Sequence, residues 1–234
     1  MARRCFLPVV ILSGVVFVTA SSRRPLLELL YRQFLTDEHS ASFIKEVSTR
    51  YSLATLERLA EAGSSSSRCC ATLALGFLAD FSSNEVLAGC LHDESDAVRM
   101  IAERSIREVW LRDGSDRQRQ QLSCVIRLNA SGQLGEAITE ATRLIESLPE
   151  FAEAWNQRAI AYFQQRDFAT AAEDCRQALE RNPCHYGAAV GLAHCYLQLD
   201  DVQAAVETFH WALDLNPGME GVRAQLARLK RALG

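Results

Sequence analysis

Apolar and small residues return at a fixed step along the second half of the chain. Pro149, Pro183 and Pro217 stand 34 residues apart, and Ala137, Ala171 and Ala205 keep the same step. So do Leu128, Tyr162 and Tyr196, then Leu134, Phe168 and Val202, then Leu144, Ala178 and Ala212. A period of about 20–50 residues marks stacked supersecondary units, none of which can bury its apolar face alone. The turns Gln165-Arg166-Asp167 and Leu199-Asp200-Asp201 are polar and short enough for an antiparallel hairpin. Asn182-Pro183 and Asn216-Pro217 mark helix ends, because the residue before proline is pushed out of the helical region.

A weaker pattern precedes this one. Arg68-x-x-Ala71 recurs 31 residues later as Arg99-x-x-Ala102. Each opens an amphipathic segment, Arg68–Leu78 and Val98–Trp110, and a shorter one stands before each, Leu53–Ala62 and Glu85–Leu91. The run from Asp93 through Asp96, Val98, Arg99 and Ala102 resembles the second helix of a HEAT repeat. Asp93, Ser95 or Asp96 is expected to cap that helix, and Ser64–Ser67 to form a loop between helices. Leu26, Leu29, Leu30 and Phe34 predict a further helix ahead of both.

The 34-residue units resemble the tetratricopeptide repeat. Unit 152–185 carries Trp155, Ala159, Tyr162, Phe168, Ala171, Ala178 and Pro183. Unit 186–219 carries Leu192, Ala193, Tyr196, Ala205, Phe209, Ala212 and Pro217, with Ala189 in the tryptophan position. Unit 118–151 is degenerate and places Gln121 there. The resemblance implies an all-α solenoid of helical hairpins, HEAT-like and then tetratricopeptide-like. The expected organisation is a leader over 1–20, a leading helix or helices over 21–50, HEAT-like repeats over 51–111, a linker over 112–117, and the repeat array over 118–234. Segment 220–233, which restarts a first helix with Leu226 and Ala227, is the expected cap.

Composition agrees with a helical array: hydrophobic residues make up 48% of the chain, against 12 Gly and 5 Pro. The net charge of −4 offers no electrostatic footprint for nucleic acid. Eight cysteines are scattered without metal-type spacing. Cys124, Cys175 and Cys195 fall on repeat-core positions, so inert buried thiols are expected.

The N-terminus reads differently. Arg3-Arg4 precedes 18 uncharged residues, Cys5 to Ser22, and then Arg23-Arg24. Phe6–Ala20 has the length of a signal-peptide apolar region, and Val18-Thr19-Ala20 approximates a cleavage site. The expectation is export to a periplasmic or extracellular space by a cleaved leader. An uncleaved membrane anchor through residues 5–22 is the next alternative, and a cytoplasmic location stays open on the odd thiol count after cleavage.

Catalytic signatures are lacking: no Gly-x-x-x-x-Gly-Lys loop, Gly-x-Ser-x-Gly elbow or His-Glu-x-x-His pair occurs. Glu207-x-x-His210 supplies two ligands where a metal site needs more, so no cofactor or metal is expected. The resemblance moves function to a groove lined by the first helix of each unit. It implies Glu153, Asn156, Ile160, Phe163 and Gln164 in the best unit, and Gly187, Val190, His194, Leu197 and Gln198 in the next. The first unit supplies Arg119, Leu122, Ile126, Asn129 and Ala130. Of these, Asn156, Ile160, Phe163, Gln164, Val190, His194, Leu197 and Gln198 are the candidate contacts for a peptide or protein partner. Some relatives clamp a chaperone's C-terminal carboxylate. Here the corresponding positions hold Leu122, Ile126, Gln157, Gly187 and Gly191, which disfavours that ligand. The expected function is a non-enzymatic interaction scaffold. Its alternatives are a structural subunit assembling through the solenoid end or convex face, and a HEAT-type enzyme accessory or lyase.

Overall fold

The computed structural model describes residues 25–233 and an antiparallel pair of two-residue strands, β1 (Ile11–Leu12) and β2 (Val15–Val16). Apart from that pair, the expected leader lies outside the described residues. Thirteen α-helices follow among the described residues. The first six are α1 (Leu26–Asp37), α2 (Ser40–Ser48), α3 (Leu53–Ala62), α4 (Ser65–Leu78), α5 (Asn84–Cys90) and α6 (Asp96–Leu111). The next seven are α7 (Asp116–Ala130), α8 (Leu134–Ser147), α9 (Ala152–Gln164), α10 (Phe168–Arg181), α11 (Tyr186–Gln198), α12 (Val202–Leu215) and α13 (Glu220–Leu233). None of them is long and apolar enough to cross a membrane. Successive helices pack as hairpins, α3 on α4, α5 on α6, α7 on α8, α9 on α10 and α11 on α12, and neighbouring hairpins stack. The fold is an all-α solenoid.

The hairpin turns of the second half repeat in conformation as well as in sequence. Gly132, Arg166 and Asp200, again one step of 34 apart, all adopt left-handed backbone with φ of 74°, 66° and 61°. Only the first is glycine, so the other two hold a conformation that disfavours a Cβ. The residue that follows each of those two begins the next helix: Asp167 and Asp201 accept from the Thr170 and Ala204 amides at 3.2 and 3.0 Å. That N-cap bond satisfies a donor the helix cannot. At the other end, Asn182 and Asn216 are buried and accept from the Cys184 and Gly218 amides at 3.2 and 3.0 Å. Such Asx turns stop α10 and α12 before the prolines.

Small residues set the helix separation. Ala159, Ala171, Ala178, Ala205 and Ala212 are buried, and the half-buried Trp155, Tyr162 and Tyr196 fill the space beside them. In the first half the equivalent close approach is α4 against α6. A Cβ on Gly76 would stand 2.2 Å from Ser105 Oγ and 3.1 Å from Ser105 Cα, so this crossing requires glycine.

Two local expectations are corrected. Ser64 is the N-cap of α4, accepting from the Ser67 amide at 3.2 Å, and Ser65–Ser67 form the first turn of that helix, where a loop was expected. The start of α6 carries no side-chain cap bond. Asp93 instead accepts from the Ser95 amide at 2.8 Å and takes a two-pronged ion pair from Arg68 at 2.6 and 2.9 Å. Arg99 reaches the same turn through the Asp93 carbonyl at 2.6 Å. The recurring arginines therefore tie both helices to one acidic turn. That competition removes the carboxylate from a capping role.

The two halves are joined by more than a connector. Arg112 of the linker donates to the Phe77 carbonyl at 2.6 Å, binding the C-terminus of α4. Tyr186 of α11 is buried in the same cluster as Val109 and Trp110 of α6, with Leu215 and Met219 packed against it. α6 also contacts α9, so the solenoid turns back on itself.

Candidate functional site

The return of α6 creates a cavity of about 520 Å³ on the concave side. Its walls come from the first helices of the repeats, α7, α9 and α11, with α13 and the end of α6. Ile126, Val190, Met219 and Val222 supply apolar surface, and Trp110 and Leu111 close one end. The expected cap, α13, is part of the wall as well as an end, and its Leu226 is buried with Ala193, Ala205 and Phe209.

A polar cluster lies at the floor. Glu153, whose side chain is 8% exposed, accepts from His185 Nε2 at 2.8 Å, Gln157 Nε2 at 2.7 Å and Asn156 Nδ2 at 3.1 Å. Burial works to raise the Glu153 carboxyl, but the hydrogen bond and electrostatic pull of His185, with the bonds from Gln157 and Asn156, outweigh it and hold the group below its ordinary value. His185 is itself an N-cap. Its Nδ1 accepts from the Ala188 amide at 3.0 Å, so the proton sits on Nε2 and points at the carboxylate.

The other face of the His185 ring stacks on Trp110, centroids 4.2 Å apart at 19°. Trp110 Nε1 donates to Asn84 Oδ1 at 2.7 Å, and Asn84 Nδ2 donates to Asn182 Oδ1 at 3.0 Å. Arg107 Nε donates to the Tyr186 hydroxyl at 2.8 Å, and the guanidinium also pairs with Glu103. Burial pushes the Tyr186 phenol up to about 12, against the opposing pull of Arg107, so it stays protonated.

The candidate contacts divide between the cavity and its surroundings. Asn156 and Val190 line the cavity, together with Ile126, Glu153 and Gly187. Ile160 is exposed farther along α9, and Gln164 and Gln198 stand exposed at the ends of α9 and α11. Phe163 is half-buried, edge-on to Phe168 at 5.2 Å and to His194 at 6.5 Å, so it carries packing as well as surface. His194 in turn meets Phe209 at 5.2 Å, and burial lowers its pKa. Leu197 packs on the cluster of Phe209 and Leu226. Leu122 and Asn129 are buried, Asn129 donating to the Gln157 carbonyl at 2.9 Å, and neither lines the cavity. The α6 wall, with Trp110 and Arg107, was not among the sequence candidates. No group of three or more metal-ligating side chains occurs among the described residues.

An all-helical stack of hairpins around a concave cavity defines a helical-repeat protein. Residues 152–183 and 186–218 match models of the tetratricopeptide repeat, so the chain contains tetratricopeptide repeats. Sperm-associated antigen 1 of Mus musculus is 32% identical over 103 residues, which are 44% of this chain and 11% of that protein. The BBSome complex member BBS4 homolog of Drosophila melanogaster is 22% identical over 146 residues, 56% of this chain and 30% of that protein. The chain thus spans a minor part of these relatives' length. Among solved structures, the first TPR of Spaghetti (RPAP3) bound to the HSP90 peptide SRMEEVD covers 51% of this chain and 95% of its own, with 23% identity and a TM-score of 0.49. The Arabidopsis OM64 TPR domain covers 49% and 95%, with 20% identity and a TM-score of 0.48.

Proposed function

We propose that the chain is a non-enzymatic interaction module that holds an extended peptide or protein segment in the concave groove of its repeats. The observation that carries this reading is the cavity itself, walled by the first helix of successive repeats and offering apolar surface above a polar floor. A groove of that composition suits a few side-chain anchors with backbone hydrogen bonds between them. Its walls are held by hydrogen bonds and stacking before any ligand arrives, so little ordering remains to be done on the receptor side.

A second reading has one observation in its favour. Trp211 on α12 is 40% exposed, the kind of aromatic surface that docks onto another protein. In that case the module assembles through α12 and its neighbours, and the groove stays empty.

Selection of binders from a random-peptide library on the immobilised full chain separates the two. Groove binding requires Asn156→Ala combined with Ile160→Ala to weaken the selected peptides by roughly tenfold or more. Trp211→Ala should leave them unchanged. The opposite pattern, or a selection that yields no peptide, would move the function to the α12 face.

A further inference from the structure

We infer that the cavity between α6, α9, α11 and α13 receives a basic side chain, a lysine or arginine carried by the bound segment, with its charged end on Glu153. This rests on the groove reading and adds the ligand's chemistry.

The first argument is charge. None of the three groups that converge on Glu153, from His185, Gln157 and Asn156, is a lysine or arginine. The Ala188 amide donates to His185 Nδ1, which leaves Nε2 to carry the hydrogen that faces the carboxylate. A carboxylate offers about four acceptor positions, and three are used here. The cation that lines the cavity, Arg107, is occupied on the Tyr186 hydroxyl and on Glu103. Arg158, on the same helix as Glu153, is held by Asp174 through two bonds of 2.8 Å. Among the described residues, no lysine or arginine pairs with the buried Glu153 carboxylate at the cavity floor. Buried carboxylates are normally paired, and supplying the missing counter-charge is the interaction this floor would reward most.

The second argument is shape. Ile126, Val190, Met219 and Val222 line the way to the floor with methyl and methylene groups. A lysine or arginine matches that gradient, since its stem is aliphatic and its charge sits at the tip. An acidic ligand would bring like charge to Glu153. A wholly apolar one would cover the carboxylate without pairing it.

The test uses the full chain, isotopically labelled, and three probes of equal length: n-hexylammonium, 1-hexanol and hexanoate. The Trp110 indole N–H and the Asn156 and Gln157 side-chain amides report on the cavity by nuclear magnetic resonance. Hexylammonium should shift these signals at concentrations about tenfold or more below those needed for hexanol, with hexanoate ineffective. Glu153→Gln should bring the amine and the alcohol to within about threefold of each other. Gly221→Phe should abolish both, because a Cβ at Gly221 meets nothing within 4 Å and the ring can fill the cavity without straining the helix. This second variant and the wild-type amine-to-alcohol ratio decide the matter if Glu153→Gln does not fold.

Equal binding of hexanol and hexylammonium would overturn the inference in favour of a purely apolar pocket. Preference for hexanoate, or no shift with any probe, would overturn it as well. Library peptides that bind through Asn156 and Ile160 yet lack a basic residue and ignore Gly221→Phe would refute this inference alone. They would leave the groove reading standing.

Discussion

Trp110 and His185 lie face to face at 4.2 Å although 75 residues separate them in the chain. The contact joins the last helix of the first array to the start of the third repeat, and it carries hydrogen bonds at both edges. Trp110 donates to Asn84, and His185 donates to Glu153. One aromatic pair therefore couples the junction of the two halves to the floor of the groove.

Trp110→Ala should cost about 3–5 kcal/mol, the range for removing a large buried aromatic, and it leaves Asn84 Oδ1 without its donor. Chemical denaturation measures the loss. Hydrogen exchange should quicken at the start of α11 and less in α3. A variant as stable as the wild type would mean the halves are not joined through this pair.

The crossing of α4 and α6 gives a paired test. Gly76→Ala should destabilise by about 1–3 kcal/mol, because the new Cβ meets the Ser105 backbone as well as its hydroxyl. Gly89→Ala in α5 meets nothing within 4 Å and should be neutral or stabilising by about 0.5–1 kcal/mol. In thermal melts Gly76→Ala should fall below the wild type and Gly89→Ala should not. Movement together would argue against the helix approach described.

His194 provides a pH signature. Burial lowers its pKa from 6.5, so the unfolded chain takes up a proton more readily than the folded one. Stability should therefore rise with pH through this range, and be lost as pH falls below about 6.5. His194→Phe should flatten the dependence between roughly pH 7.5 and 5.5, measured as denaturant midpoints, since it removes the titrating ring and keeps an aromatic beside Phe163 and Phe209. Parallel curves for the two proteins would show that His194 is not the source.

The thiols bear on the enzyme alternative. Burial pushes Cys70 up to about 12, and Cys90 is raised by the same cause. Cys175 and Cys195 are buried between neighbouring helices, whereas Cys124 is partly exposed. Iodoacetamide followed by peptide mapping should label Cys124 first, and the five buried thiols, Cys69, Cys70, Cys90, Cys175 and Cys195, only after denaturant is added. Native-state labelling of Cys70 as fast as Cys124 would revive a thiol-based activity.

The repeat was legible because its residues recur at one step, so prolines, alanines and aromatics marked hairpins before any coordinate. The left-handed turn residues were less visible. Arg166 and Asp200 do what Gly132 does; aspartate is enriched in that conformation, but arginine gives no such signal. Of the cavity lining, Ile126, Glu153, Asn156, Gly187 and Val190 coincide with positions that register implied. Register could not separate Leu122, a buried position, from Ile126, a cavity wall, since both are apolar and one turn apart. The α6 wall was out of reach for a different reason. Trp110 reads as one more apolar position on an amphipathic segment, and its partner lies beyond any local period.

A helical solenoid without such a clasp behaves like a coil spring. It stretches along its axis, and units peel from either end one at a time because each touches only its neighbours. The Trp110–His185 contact ties the last turn of the first array to the third repeat across the two intervening hairpins. That tie limits extension and makes loss of the third repeat a disturbance felt in the first array. It also raises the sequence separation of the contacts that must form, which slows folding relative to an open coil of the same length. Stiffness, cooperativity and a slower approach to the native state thus follow together from a single aromatic clasp.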